Sequence, residues 1–290
     1  MATSDATVRQ ATSGYGFGAT DVVLSVEEVE RATSEIAAQG PDLRRLDGLC
    51  QGAPFVAIDR LVAGYERMEI LHGIDVRVGR GQSLCLIGPN GAGKSTVLHS
   101  IQGFTRIMSG AIRVGGRDVT RVPAQRKLRD AHIAYVLQDN SVFPDMSVEE
   151  NLLIGGHLLP NSRTARRAAE NVFERYPRLA ERRRQRAAVL SGGERRLLEI
   201  ARALIMEPAV LLVDEPSIGL EPRYIDTVFE ILADLQRREG RTIIMVEQNA
   251  KKGLEFADIG YVLVSGRVAL AGRGAELLDN PDVARLFLGG

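Results

Sequence analysis

Lys94 is one of only four lysines in this 290-residue chain, and it closes a glycine-rich run in the stretch GPNGAGKST, Gly88 to Thr96. Gly88, Gly93, Lys94 and Ser95 occupy the fixed places of the pattern G-x-x-x-x-G-K-[ST]; Pro89, Asn90, Gly91 and Ala92 fill the variable ones, and Thr96 follows. Each residue type has a chemical reason. Glycines let backbone N–H groups wrap a β-phosphate, the lysine neutralises β and γ oxygens, and the serine hydroxyl ligates Mg²⁺. The run follows the strand-like SLCLI and precedes a helical pattern, a context that favours a nucleoside triphosphate site over a plain Gly-rich turn.

Such a loop needs an acid for its metal, usually at the end of another buried strand. AVLLVDE supplies it, five apolar residues running into Asp214 and Glu215. Successive side chains on a strand point to opposite faces, which predicts Asp214 facing the metal and Glu215 facing a water. A third stretch, LSGGE, sets Ser191, Gly192, Gly193 and Glu194 at the start of a helical pattern. The first turn of a helix leaves N–H groups unpaired and its dipole favours an anion, so the chain carries two phosphate cradles.

The elements that must position these residues start at Phe55. FVAID, SLCLIG, HIAYVLQ, AVLLVD, TIIMVEQ and YVLVSG are strand-like, and helix-length segments separate most of them. The later runs are apolar at successive positions, as in strands covered on both faces, which predicts an α/β fold of βαβ units around a largely parallel sheet. FVAID and GIDVRV follow one another without a helix and predict an antiparallel flap. Residues 140 to 190 read as consecutive helices, an all-α insertion that ends at LSGGE. Within it, FPDMSVEENLL predicts a turn and then a helix capped by Ser147, with Glu150 three residues on.

GPNGAGKST, LSGGE and LLVDEPS, in that order and around a helical insertion, resemble the ATPase subunit of an ATP-binding cassette transporter over residues 55 to 290. LSGGE is the specific element, because phosphate-loop enzymes in general lack it. The resemblance implies a RecA-like P-loop NTPase core with an antiparallel β flap and an inserted all-α subdomain at about 140–192. It implies ATP and Mg²⁺ as cofactors and head-to-tail pairing with a second ATPase subunit, the same chain or another. Ser191, Gly192 and Gly193 then close on ATP held by the partner. Tyr65 falls where an aromatic stacks on adenine, a task that suits a flat π face. Gln138 matches a glutamine that touches Mg²⁺ and the attacking water, so Ser95, Gln138 and Asp214 form the implied metal set. Glu215, Lys94, Gln138 and Gln248 form the implied catalytic set. The surface from Phe143 to Leu153 matches one that receives a helix of an integral membrane permease subunit, in a system that also includes a solute-binding protein.

Two departures stand out. Gln248, in MVEQNA, replaces the usual histidine at the γ-phosphate; an amide donates a hydrogen bond but never becomes a cation. SIGLEP has Ile218 and Glu221 where serine and aspartate are commoner. DEPSIGLEP, MVEQNA and the tail VARLFLGG are similar to an ATPase subunit of branched-chain amino acid importers, where VEQN is a usual spelling. The ATPase of lipopolysaccharide exporters shares LSGGERR and EIARAL but normally keeps the histidine. A nucleotide-gated scaffold and a non-transport member of the class are the remaining alternatives.

Composition limits the partners. Apolar residues make up 44% and charged residues 26%, and the net charge of zero offers no field to draw the chain to nucleic acid or an anionic membrane. Arg163 to Arg186 carries nine arginines, but three glutamates interleave with them, the pattern of a solvated helix face. No apolar run is long enough to span a bilayer and no signal peptide is legible, so the expected location is the cytoplasm, where the family resemblance implies a peripheral place on the inner face of the cell membrane. Residues 1–53 read as an extension to a domain at 54–290. Its first 20 residues have a disordered composition, and a helix starts at Ser25, with Glu28 three residues on, and stops at Gly40 and Pro41. Cys85, inside SLCLIG, reads as a small core residue and Cys50 matches no metal spacing.

Overall fold

A computed structural model describes residues 40–138 and 141–287. The helix expected from Ser25 and the composition of the first 20 residues lie outside the described residues. The first described element is a helix that local sequence signals did not predict, α1 (Leu43–Leu49), capped by Asp42, whose side chain accepts from Arg45 N. The antiparallel pair β1 (Pro54–Tyr65) and β2 (Met68–Gly79) then forms the expected flap. β3 (Ser83–Ile87) leads through the glycine-rich loop into α2 (Lys94–Gln102). β4 (Arg106–Val114) and β5 (Arg117–Asp118) return to the flap, followed by α3 (Ala124–Ala131) and β6 (Ile133–Val136). The helical insertion comprises α4 (Val148–Gly155), α5 (Ser162–Arg175), α6 (Pro177–Glu181) and a short 3₁₀ turn, Ala187–Val189. After it come α7 (Gly192–Leu204), β7 (Val210–Asp214), α8 (Pro222–Arg237), β8 (Thr242–Val246), α9 (Ala250–Phe256), β9 (Ile259–Val264), β10 (Arg267–Arg273), α10 (Gly274–Leu278) and α11 (Pro281–Phe287).

Two sheets result. The flap has the order β2-β1-β4-β5, and the core sheet has the order β10-β9-β3-β8-β7-β6, parallel throughout except for β10 at one edge. Every residue of β3, β7, β8 and β9 is buried, which is why these strands read as unbroken apolar runs. Their alternate side chains feed different cores. Leu84, Leu86, Leu212, Ile244 and Val246 face the flap, while Cys85, Ile87, Leu211, Val213 and Met245 pack on α8 and α9. A third core fills the helical insertion, where Val148, Leu152, Phe173, Leu179 and Leu198 meet. α7 serves two cores at once, with Leu198 and Ala201 toward the insertion and Ile200 and Leu204 toward the sheet.

The register of the core sheet decides where chemistry takes place. Leu86 pairs with Val246 and Val246 with Asp214, while Val136 pairs with Val213. The chain therefore leaves the sheet along one edge at Gly88, Leu137, Glu215 and Glu247. Ligands of open α/β sheets bind beyond such carboxyl ends.

α1 docks because the sheet edge supplies partners. Leu46 and Leu49 join the core under the flap, and Gln82 Oε1 accepts from Gln51 N at 2.9 Å and Gly79 N at 3.0 Å. Arg77, 6% exposed, holds Asp47 at 3.1 Å and also pairs with Asp59. The arginine-rich run behaves as expected: Ala165, Ala169, Val172 and Phe173 turn inward from α5, and eight of the nine arginines are exposed while Arg183 pairs with Glu149 and Glu170. Among the described residues no helix is long and apolar enough to cross a membrane.

Lys127, on α3, is fully buried, with Nζ donating to Val119 O at 2.7 Å; burial lowers its pKa to about 8, opposed by Asp118. A lysine in the unfolded chain keeps its proton to about pH 10.4. Below pH 8 both states are protonated and the burial cost is fully present. Between the two values the unfolded state binds more protons, so this group adds stability as pH rises. Relative to Lys127→Met, the wild-type chain should therefore gain roughly 1–3 kcal/mol between pH 7 and pH 10 in denaturant melts; a pH-independent difference would contradict this.

Candidate nucleotide site

The loop from Gly88 to Gly93 is held in a shape that only glycine tolerates at its ends. Gly88 has φ 144°, and a Cβ there would lie 2.1 Å from Leu263 O. Gly93, the N-cap of α2, has φ 96° and would press a Cβ against Leu71 and Ile70. No side chain caps this helix, so its first N–H groups remain available to an anion. The loop is braced from behind: Gly266 N donates to Ala92 O at 3.0 Å, and His72 N to Gly266 O at 2.9 Å. Ala92 and Thr96 are buried and Asn90 and Gly91 are exposed. Lys94, 6% exposed, folds back and donates to Gly88 O and Pro89 O, both at 2.9 Å. Burial depresses its pKa, and Glu215 and then Asp214 oppose the shift.

Asp214 meets this loop from β7. Its Oδ1 accepts from Ser95 Oγ at 3.1 Å and its Oδ2 from Tyr135 Oη at 2.7 Å. Burial, and then the Asp214 charge, pushes the Tyr135 hydroxyl well above its ordinary pKa, so it remains a proton donor. Asp214 and Glu215 do diverge as expected, but strand alternation is not the whole cause. Glu215 has left the strand, at φ 42°, with its N–H donating to Val246 O at 2.9 Å. That turn carries its carboxylate to Gln138, whose Nε2 donates to Glu215 Oε2 at 3.1 Å. Ile70, Asn90, Gly91, Gly93, Lys94, Ser95, Thr96 and Glu215 line a cavity of about 260 Å³. Tyr65, 39% exposed, and Gln248, also exposed, stand outside its wall.

Ser191, Gly192 and Gly193 are elsewhere. Ser191 caps α7: its hydroxyl accepts from Glu194 N at 3.3 Å and Glu194 Oε2 accepts from Ser191 N at 2.9 Å. Ser191, Gly193 and Glu194, with Arg175, Tyr176 and Tyr224, line a second cavity of about 330 Å³ that shares no residue with the first. Within one chain the Gly88–Thr96 loop and the Ser191–Gly193 segment thus do not converge.

Comparison with known proteins places this geometry. The family model described as "ABC transporter" matches residues 71–218. The high-affinity branched-chain amino acid transport ATP-binding protein BraG of Pseudomonas aeruginosa is 43% identical over 235 residues, 81% of this chain and 100% of the relative. The chain belongs to the ABC transporter family. The lipopolysaccharide export system ATP-binding protein LptB of Acidithiobacillus ferridurans is 34% identical and covers 79% of this chain and 94% of the relative. Among solved structures, a nucleotide-free ATP-binding cassette from an ABC transporter superposes with TM-score 0.72 at 26% identity, covering 82% of this chain and 100% of that one. The ADP conformation of an ATP-binding cassette of an ABC transporter gives 0.72 at 27% identity, covering 82% of this chain and 99% of that one.

This ABC ATPase also uses residues that the motifs did not single out. Arg196, 4% exposed on α7, donates to Leu137 O at 2.7 Å, Glu199 Oε2 at 2.8 Å and Asp214 O at 3.1 Å. Glu199 Oε1 accepts from Ser141 N at 3.3 Å. The start of the LSGGE helix is thereby tied to both the glutamine loop and the acidic strand end. Glu247, 1% exposed and raised in pKa by burial, accepts from Ser217 Oγ and, at 3.1 Å, from Asn249 N. It joins the turn bearing Gln248 to the SIGLEP loop. One signal was available for Arg196 and Glu199, a charged i,i+3 pair on the apolar face of an amphipathic helix; Tyr135 and Glu247 lie inside strand-like runs that read simply as buried.

Gly193 has a packing role within its own chain. A Cβ there would sit 2.5 Å from Tyr224 Cδ1, whereas at Gly192 the nearest atom is 3.4 Å away. Gly193→Ala should cost about 1–3 kcal/mol in thermal or denaturant melts, while Gly192→Ala should change stability by less than about 0.5 kcal/mol or raise it. Equal effects would remove the packing explanation.

Proposed function

We propose that this chain is the ATP-hydrolysing subunit of an importer for branched-chain or related amino acids. The observation that carries the reading is the separation of the two cradles, combined with 43% identity to BraG across that protein's whole length. Each nucleotide pocket is then completed by the Ser191–Gly193 segment of a second subunit. In this reading Gly88 to Gly93 and the first turn of α2 wrap the phosphates, Lys94 exchanges its loop carbonyls for phosphate oxygens, and Tyr65 stacks on the base.

The donor set fits Mg²⁺. The Ser95 hydroxyl and one Asp214 oxygen lie 3.1 Å apart, and with the Gln138 amide oxygen they offer hard oxygen ligands without sulfur or imidazole. When bound there, Mg²⁺ neutralises charge on the β and γ oxygens. Glu215, aimed by its turn out of β7 and held by Gln138, polarises the attacking water. Gln248 supplies a neutral hydrogen bond to the γ-phosphate, weaker than the histidinium contact it replaces.

Turnover reaches the membrane through the insertion. A groove of about 370 Å³ lined by Leu137, Phe143, Ile154, His157 and Arg202 lies beside Gln138, and Phe143 is 47% exposed at its rim. We assign it to a helix of the permease subunit, on the cytoplasmic face, with a solute-binding protein choosing the cargo.

Glu215→Gln should lower steady-state ATP turnover by roughly 100-fold or more while leaving ATP affinity within a few-fold, measured by phosphate release and by nucleotide binding. Lys94→Ala should weaken ATP binding itself. Ser191→Ala should leave monomer affinity for ATP nearly intact, cost about 1 kcal/mol of stability through the lost cap, and abolish ATP-driven dimerisation. Dimerisation unaffected by Ser191→Ala would refute the shared pocket.

A further inference from the structure

One side chain near the proposed base site has no part in the reading above. His99 lies on α2, five residues after Lys94, and its Nδ1 is 2.5 Å from the Tyr65 hydroxyl. Burial holds its pKa below the usual imidazole value, against the opposing pull of Asp214. A tyrosine hydroxyl both donates and accepts, so the bond forms with either imidazole tautomer.

The imidazole is itself held in place. Its ring meets Phe104 edge-on at 5.8 Å and 69°, and Tyr135 at 5.8 Å and 82°; Phe104 and Tyr135 pack on each other at 5.9 Å. Tyr135 in turn donates to Asp214. A continuous path of ring and hydrogen-bond contacts thus runs from the acid beside the phosphate loop to the flap residue Tyr65. Tyr65 ends β1 at a tight turn whose next residue, Glu66, has φ 52°, and it is 39% exposed. The Tyr65 and His99 rings stand at 81° with centroids 6.1 Å apart. The bond anchors the hydroxyl end of Tyr65 and so fixes the direction in which the ring projects, while the residue stays 39% exposed.

We infer that His99 is a positioning residue that presets the Tyr65 ring for a stacked nucleobase, and so sets how much the base adds to nucleotide affinity. The inference rests on the stacking role proposed for Tyr65. An unpinned, half-exposed tyrosine must lose rotamer freedom each time a base stacks on it; a ring already held by His99 has lost it beforehand. Ordering one such side chain corresponds to a factor of about 3 to 10 in affinity. Its hydrogen bond goes to Tyr65 and its ring contacts to Tyr65, Phe104 and Tyr135, none of which lines the phosphate cavity, so the contribution is assigned to the base.

The test compares ATP with inorganic tripolyphosphate, each with Mg²⁺, binding to the full chain by calorimetry. His99→Ala should weaken ATP about 3- to 10-fold and leave tripolyphosphate unchanged. Tyr65→Phe, which keeps the ring and loses the hydroxyl, should match it, and the double variant should be no weaker than either single one. His99→Asn, whose amide falls near the position of Nδ1, should restore most of the loss. Parallel weakening of ATP and tripolyphosphate by His99→Ala would reduce His99 to a structural support of α2 and overturn the inference, as would additive losses in the double variant. If Tyr65→Ala weakens ATP but His99→Ala does not, only the role of His99 falls. If Tyr65→Ala leaves ATP binding unchanged, base stacking on Tyr65 is wrong and the inference falls with it.

Discussion

A carboxylate 4% exposed at the end of a buried strand needs hydrogen-bond partners for its oxygens, and Asp214 finds them in Ser95 and Tyr135. This arrangement is what the rest of the site depends on. Ser95 can reach Asp214 only because β3 and β7 end level with each other on either side of β8, so that the first turn of α2 rises beside the tip of β7. Tyr135 can reach it only because β6 continues the same register. The parallel sheet is therefore what brings the glycine-rich loop and the acidic strand end, far apart in sequence, to one place.

Buried polar groups tie that end of the sheet to the elements around it. Arg196 joins α7 to the carbonyls of Leu137 and Asp214, and Glu247 joins the Gln248 turn to the SIGLEP loop through Ser217. Buried charges with several fixed partners have few alternative arrangements, since losing one partner leaves an uncompensated group in a low-dielectric interior. Arg196 and Glu247 thus hold the chain on either side of these buried contacts in fixed relative positions. Glu247 anchors the turn that carries Gln248 through Asn249 N.

Much of this was legible in the chain itself. The phosphate loop, the acidic strand end, the antiparallel flap, the insertion and the Ser147–Glu150 cap all follow from local signals, because each rests on short-range physics: glycine at positive φ, side chains that satisfy helix-end amides, and apolar runs that must be covered. α1 escaped notice because seven residues with two inward leucines have little local propensity; its stability comes from Gln82 and Arg77, which are some thirty residues away.

The sequence by itself determined the glycine-rich loop, the acidic strand end and the LSGGE stretch, and that the two expected cradles are separate segments of the chain. Only the tertiary structure decided that the cradles face different cavities, that Glu215 turns out of its strand toward Gln138, and that Tyr65 is tied to His99. Those outcomes depend on strand register and on side chains meeting across long stretches of chain, and a local pattern carries no information about either.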